Sequence, residues 1–278
     1  MTVLDAAILG LVQGLTEFLP ISSSGHLVLF QNFLQTGPES FTVDVFLHFA
    51  TLFAVIIFFW KDLWQIKLKD LIPLAIASFP AAVIGIIFHD QLEALFASGR
   101  TIGWELLITA GINFWTDRIL NANGNNTLAE KVQTSFAGIR VWFTQFLSGQ
   151  SLPISPKVAA FVGVAQATAI MPAISRSGTT VWAALISGVD RKTAFTFSFL
   201  LSIPVILGAN ALELLKIYKE GTGLPAAPIL FSGGTVAFVS GLLSLYLLRY
   251  MIKKAKFEFF GWYCLVLGLA VLGFQFLR

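Results

Sequence analysis

The sequence predicts an all-α polytopic membrane protein with six transmembrane helices and two re-entrant helical hairpins, arranged as an inverted-topology repeat. Three observations carry this expectation. Hydrophobic residues make up 56% of the 278 positions and charged residues 12%, about half the ~25% charged share of soluble domains. A mean hydropathy of +0.80 leaves more apolar surface than a water-exposed chain of this size hides. Finally, the apolar residues fall in blocks of bilayer length, and two of these blocks are interrupted at their centres by proline, serine and glycine.

A span needs roughly 20 apolar residues. Segments at about 42–60, 71–89, 103–119, 195–215, 228–248 and 257–277 meet that length. Residues 6–38 and 158–189 behave differently, since each holds a single formal charge, Glu17 and Arg176 respectively. Each is broken near its middle, at Pro20 to Gly25 and at Pro172 to Gly178. The halves are too short to cross alone and read as re-entrant hairpins, whose irregular backbone must line a protein cavity. The N-terminus, "MTVLDAAILG", has no basic region ahead of its apolar run, so no cleaved signal peptide is expected. The whole chain is taken as one mature integral membrane domain.

Basic residues orient the spans. Lys61, Lys67 and Lys69 share one loop; Arg118, Lys131, Arg140 and Lys157 mark a polar segment at about 120–157. Arg191 and Lys192 form a third group, and Arg249, Lys253, Lys254 and Lys256 a fourth. Placing all four on the cytoplasmic side fits the six spans. The first hairpin then dips in from outside and the second from the cytoplasm. Accordingly, the net charge of +3 and pI near 9.0 report loop orientation, and nothing points to nucleic acid. The repeat reads as about 1–119 followed, after the polar segment, by about 158–278. "SSSG" at 22–25 and "SRSG" at 175–178 share an S-x-S-G frame, with Gln13 and Gln166 equally far before each. Sites in such repeats form at the midplane, between broken helices.

An ionised side chain at the bilayer centre costs at least ~2.5–3.5 kcal/mol and usually has a partner. Glu17 and Arg176 are therefore expected to pair. A purely structural salt bridge would explain those two residues but not their neighbours. Gln13 lies one helical turn before Glu17, and Ser22, Ser23, Ser24 and His26 follow it. Ser175, Ser177, Thr179 and Thr180 surround Arg176. Serine, threonine and glycine at a helix start offer N–H donors to an oxyanion, and a guanidinium fork binds phosphate bidentately. His26 has the unperturbed pKa suited to proton transfer, and serine hydroxyls beside it supply a candidate nucleophile. Glu17 would orient or activate either. The pattern thus points to an anionic, phosphorylated lipid as ligand.

Other features read as structural. His48, near Asp44 at the start of a span, reads as interfacial or packing, and His89 with Asp90 as solvated. The histidines are too scattered for a metal triad, and no H-E-x-x-H occurs. Trp60, Trp64, Trp104, Trp115 and Trp262 fall near span ends as an aromatic belt. The single Cys264 excludes a disulfide framework, and "NNT" at 125–127 reads as an accidental sequon.

At this point the chain resembles the undecaprenyl-diphosphate phosphatases, also called bacitracin-resistance proteins. The resemblance spans nearly the whole length: "AAILGLVQGLTEFLPISSSGHLVL", "FLHFATLFAVIIFFWKDL", "PAISRSGTT" and "FSFLLSIPVILGANALELLK". It implies hydrolysis of undecaprenyl diphosphate to undecaprenyl phosphate and inorganic phosphate in the bacterial plasma membrane, recycling the lipid carrier of peptidoglycan synthesis and conferring bacitracin resistance. It also implies Glu17, Ser23, His26 and Arg176 as catalytic residues. Gln13, Ser22, Ser24, Ser175, Ser177 and Thr180 are then expected to bind substrate. A divalent cation, Mg2+ or Ca2+, often assists such activity, although no carboxylate cage is evident here. Gln13 stands where many members carry glutamate, so no second carboxylate is given a proton role. Ala173 replaces the usual glycine, so the turn there must avoid positive φ or carry strain of ~1 kcal/mol or more.

Two other readings compete. Type-2 phosphatidic acid phosphatases need a histidine where Trp182 stands and an Arg-Pro dipeptide that is absent, so that reading fails. A lipid transporter or flippase using the same midplane site is the alternative, since inverted repeats with broken helices are transporter features. The sequence leaves oligomeric state open, a homodimer included.

Overall fold

A computed structural model describes residues 1–37, 39–64, 66–122, 154–221, 224–253 and 256–277. Twelve α-helices and no strand occur among the described residues. Helices α1 (Val3–Glu17) and α2 (Ser23–Leu34) form a first hairpin. They are followed by α3 (Glu39–Phe58), the short α4 (Trp60–Trp64), α5 (Leu68–Ile87), α6 (His89–Ser98) and α7 (Ile102–Ala122). Helices α8 (Pro156–Thr168) and α9 (Arg176–Ile186) form a second hairpin. Then come α10 (Arg191–Glu220), α11 (Ala227–Lys253) and α12 (Glu258–Phe276). Most of the polar segment expected at 120–157 lies outside the described residues, with Lys131, Arg140 and the 125–127 sequon, and so does Lys254.

Among the described residues, four helical stretches are long and apolar enough to cross a membrane: Leu68–Ile87, Arg191–Lys219, Ala227–Met251 and Glu258–Phe276. The apolar part of α3 is shorter, Thr42–Phe58. Helix α7 covers the span expected at 103–119 but carries a polar face. Its inward face buries Glu105, Thr109, Asn113, Thr116 and Asp117. The outer surfaces are strongly apolar, with Phe33, Phe231 and Phe276 each more than three-quarters exposed. A bilayer covers such surfaces, and the chain is a membrane protein. The five belt tryptophans are all exposed, whereas Cys264 is fully buried and packs as a small hydrophobe.

Packing between helices follows the rule that small residues let backbones approach in lipid. Helix α1 lies along α11 and α8 along α5, so each hairpin packs on the other half of the chain. A Cβ added at Gly10 would stand 2.3 Å from the Gly233 carbonyl oxygen, and one at Gly163 2.8 Å from that of Ala77. Helix α7 runs against α12, and α3 bridges α10 and α11. Near the turn of the first hairpin an aromatic core forms: Phe18, Phe59 and Phe195 pack on Phe199.

Candidate active site

The shared S-x-S-G frame is a pair of helix caps. Ser22 caps α2 by accepting from the Gly25 N–H at 3.4 Å, and Ser175 caps α9 by accepting from Gly178 at 3.2 Å. Ser23 and Arg176 are therefore the first residues of equivalent helices. Both starts face one another, because Gly25 lies against Ala173; an added Cβ there would meet the Ala173 Cβ at 2.8 Å. Ala173 itself escapes positive φ. The strained backbone falls instead on Ser22, at φ 69°, a region costly to a non-glycine residue.

Glu17, the last residue of α1, is the hub. Its Oε1 accepts from Arg176 Nη2 at 2.5 Å. Its Oε2 accepts the Ser23 hydroxyl at 2.5 Å and Gln13 Nε2 at 3.0 Å. The Glu17 side chain is 4% exposed and that of Arg176 18%. The expected ion pair thus forms, with a serine hydroxyl directed at the same carboxylate. Gln13 also donates to Thr51 of α3 at 3.3 Å.

His26 is held elsewhere. Its Nδ1 lies 2.6 Å from the Ser22 carbonyl oxygen and its Nε2 2.7 Å from the Tyr263 hydroxyl, with the two rings stacked. Since a carbonyl only accepts, Nδ1 carries the proton and Nε2 accepts from Tyr263 when the ring is neutral. Glu17 therefore orients Ser23 and leaves His26 to Ser22 and Tyr263. The histidine that does approach Glu17 is His48, whose Nε2 is 3.8 Å from Oε2. This approach adds to the interfacial or packing place read from the sequence, in which His48 Nδ1 stands 2.8 Å from the Asp44 carbonyl oxygen.

The remaining hydroxyls mostly join the hairpins. Ser22 donates to the Pro172 carbonyl at 3.0 Å, and Ser177 to that of Leu19 at 3.2 Å. Ser175 and Ser177 stand 3.2 Å apart. Thr180 is turned toward Ser198 of α10, at 2.5 Å, and is not brought to the Glu17 cluster. Ser24 is half-buried beside Ser23. Sequence reasoning missed Tyr263, Thr51 and the α7 residues. Only the last left a signal, a polar residue every fourth position (Glu105, Thr109, Asn113, Asp117) along an otherwise apolar segment.

Mg2+ takes one or two carboxylates plus substrate phosphates. Here Arg176, Ser23 and Gln13 occupy both oxygens of Glu17, and Glu105, a second carboxylate at the junction, accepts from the Ala173 N–H. A cation at this junction would have to share Glu17 with Arg176, Ser23 and Gln13. Among the described residues one cluster of metal-ligand type occurs, His89, Asp90 and Glu93. Of these, His89 already pairs with Glu213 and Glu93 with Lys216.

Two helix N-termini and an arginine thus meet at a buried carboxylate inside a helical membrane protein. A family model described as "Bacitracin resistance protein BacA" matches residues 6–270, and the chain belongs to that family. It is 37% identical to an undecaprenyl-diphosphatase of Halothermothrix orenii, over 98% of each chain. Proteins of the same name from Carboxydothermus hydrogenoformans and Thermosipho africanus are each 38% identical, over 99% and 94% of this chain and 98% and 96% of theirs.

Proposed function

We propose that this protein hydrolyses undecaprenyl diphosphate to undecaprenyl phosphate and inorganic phosphate, with Ser23 as nucleophile and Glu17 as its base. The observation that carries the mechanism is the chain Ser23–Glu17–Arg176 across the two hairpins. As Ser23 Oγ attacks the terminal phosphorus in line, its proton passes to Glu17 Oε2. The Oγ–P bond forms, the bridging P–O bond breaks, and undecaprenyl phosphate leaves. Water then attacks the phosphoserine, and the P–Oγ bond breaks as Glu17 returns its proton to Ser23 Oγ. The proton lost by water leaves with the phosphate or to solvent, so Glu17 ends as the carboxylate it began as. Arg176 turns from Glu17 toward the phosphoryl oxygens as substrate enters. The N-termini of α2 and α9 add preorganised donors, the dominant contribution in phosphoryl transfer. No step is routed through a metal ion.

The decisive experiment supplies purified protein in detergent with undecaprenyl diphosphate labelled at the terminal phosphate. Release of phosphate, with label trapped on the wild type after acid quench and absent from Ser23→Ala, supports the mechanism. Release without trapping, surviving in Ser23→Ala, assigns attack to water. Binding without turnover is the transporter result, which the names of the relatives do not favour.

Six spans, two re-entrant hairpins and an inverted repeat within a single domain complete this reading, in a multi-pass protein of the bacterial inner membrane. The crossed pairing of α1 with α11 and α8 with α5 supports it, as do the matched caps at Ser22 and Ser175. In a Cys264→Ala background, an impermeant thiol reagent should label Gln35→Cys but not Lys256→Cys in intact cells. The reverse pattern would invert the topology.

A further inference from the structure

Breaking a helix at membrane depth leaves backbone groups that water cannot satisfy. In both hairpins the broken stretch lies directly ahead of the residue that acts, with Pro20 preceding Ser23 and Ala173 preceding Arg176. One helix outside both hairpins takes up these groups. On α7, Glu105 Oε2 accepts from the Ala173 N–H at 2.6 Å. Thr109 donates to the Ala173 carbonyl at 2.9 Å and accepts from the Ser175 N–H at 3.1 Å. Asn113 Nδ2 donates to the Pro20 carbonyl at 2.6 Å. All three side chains are buried, at 3%, 0% and 0% exposure.

Their spacing of four places them on one face of α7. That face continues to Asp117, whose Oδ1 accepts from the Phe257 and Glu258 N–H groups at 2.9 and 3.1 Å. This ties down the start of α12, the helix that presents Tyr263 to His26. Hairpin one, hairpin two and the partner of His26 are thus all hung on one straight element. The hairpins enter the bundle separately and make their own contacts through Ser22, Ser177 and the Gly25–Ala173 approach. Those contacts lie at the turns themselves and move with them. The α7 bonds refer both turns to a rigid third body, so they set how far Ser23 stands from Arg176.

We propose that Glu105, Thr109 and Asn113 are positioning residues for the hydrolysis, holding the two reactive helix starts in register from one face of α7. The proposal rests on the hydrolase reading above. Thr109 is the sharpest probe, because a single hydroxyl bonds on both sides of the turn and Thr109→Val removes it at nearly constant volume. Displacement of a reacting group by ~1 Å costs up to about a hundredfold in rate. A loss confined to the transition state lowers kcat rather than raising KM.

The test measures kcat and KM for phosphate release from undecaprenyl diphosphate, per monodisperse folded enzyme, for wild type, Thr109→Val, Thr109→Ser and Asn113→Leu. Thr109→Val and Asn113→Leu should each lose about tenfold to a hundredfold in kcat, with KM little changed. Thr109→Ser, which keeps the hydroxyl, should recover most of the loss. Unaltered kcat in the Val and Leu variants overturns the proposal, and so does equal loss in Val and Ser. If neither Val nor Leu yields folded protein while Ser does, the bonds serve folding and the positioning role falls. An inactive wild type would instead sink the hydrolase reading, and the proposal with it.

Discussion

Glu17 Oε1 and Arg176 Nη2 stand 2.5 Å apart, although 159 positions separate the two residues in the chain. The ion pair joins the end of α1 to the start of α9, and the other oxygen of the same carboxylate holds Ser23. The groups proposed as base, nucleophile and phosphate clamp are therefore one hydrogen-bonded unit, and removing its parts should have separable effects.

Arg176→Ala leaves a buried carboxylate without its cation, which typically costs about 3–5 kcal/mol of stability. It also removes the clamp, which should lower kcat by about 10²–10³. Arg176→Lys keeps the charge but loses the planar fork. Thermal unfolding in detergent should recover in the lysine variant while phosphate release stays low. Recovery of both would show that charge alone suffices.

Ser22 combines a useful hydroxyl with an unfavourable φ of 69°. Ser22→Ala loses the cap and the bond to Pro172 and keeps the strain. Ser22→Gly loses the same bonds but relieves the backbone, which carries on the order of 1 kcal/mol or more. The glycine variant should therefore unfold at the higher temperature. The opposite order would mean that Ser22 is unstrained.

The two histidines near the site should separate by partner. At 3.8 Å from Glu17, His48 when protonated would add about 1 kcal/mol where water fully screens the pair. His48→Ala should thus cost about fivefold in kcat, far less than loss of Arg176. Tyr263→Phe keeps the ring stacked on His26 and removes only the hydroxyl. It should alter the pH dependence of kcat if His26 exchanges protons. An unchanged pH profile in Tyr263→Phe would confine that tyrosine to packing.

Asp62, on the short helix α4 between two spans, is pushed up to about 6 from 3.8 by burial, against the attraction of Lys192 and Arg249. The folded state then binds the proton more tightly than the unfolded chain. Its contribution to stability is full below about 3.8 and is lost as pH rises through about 6, because stability falls wherever the folded state holds more protons. Melting temperatures between pH 4 and 7 should decline in the wild type more than in Asp62→Asn. Parallel curves would remove Asp62 as the cause.

Much of the site was legible because the membrane penalises charge. Glu17 and Arg176 stood out as lone ionised residues in apolar blocks, and their pairing followed from the cost of leaving either unpaired. The shared S-x-S-G frame was visible as a pattern, but its meaning as two equivalent helix caps required coordinates. The approach of His48 to Glu17 was not legible, because its distance from Glu17 in sequence says nothing of how α3 packs beside α1. Tyr263 was missed for the same reason, as a tyrosine among interfacial aromatics has no local mark of a partner 237 positions away.

Composition, block length and the residues at the two breaks determined that this chain lives in a membrane, that two apolar blocks are interrupted, and that a lone glutamate and a lone arginine should pair there. These are local matters of hydropathy, helix-breaking residues and charge cost. Tertiary structure decided which groups meet. It gave Ser23 to Glu17, turned His26 to Tyr263, and set both turns on α7, because contacts between helices depend on packing angle and close approach at glycines such as Gly10, Gly25 and Gly163.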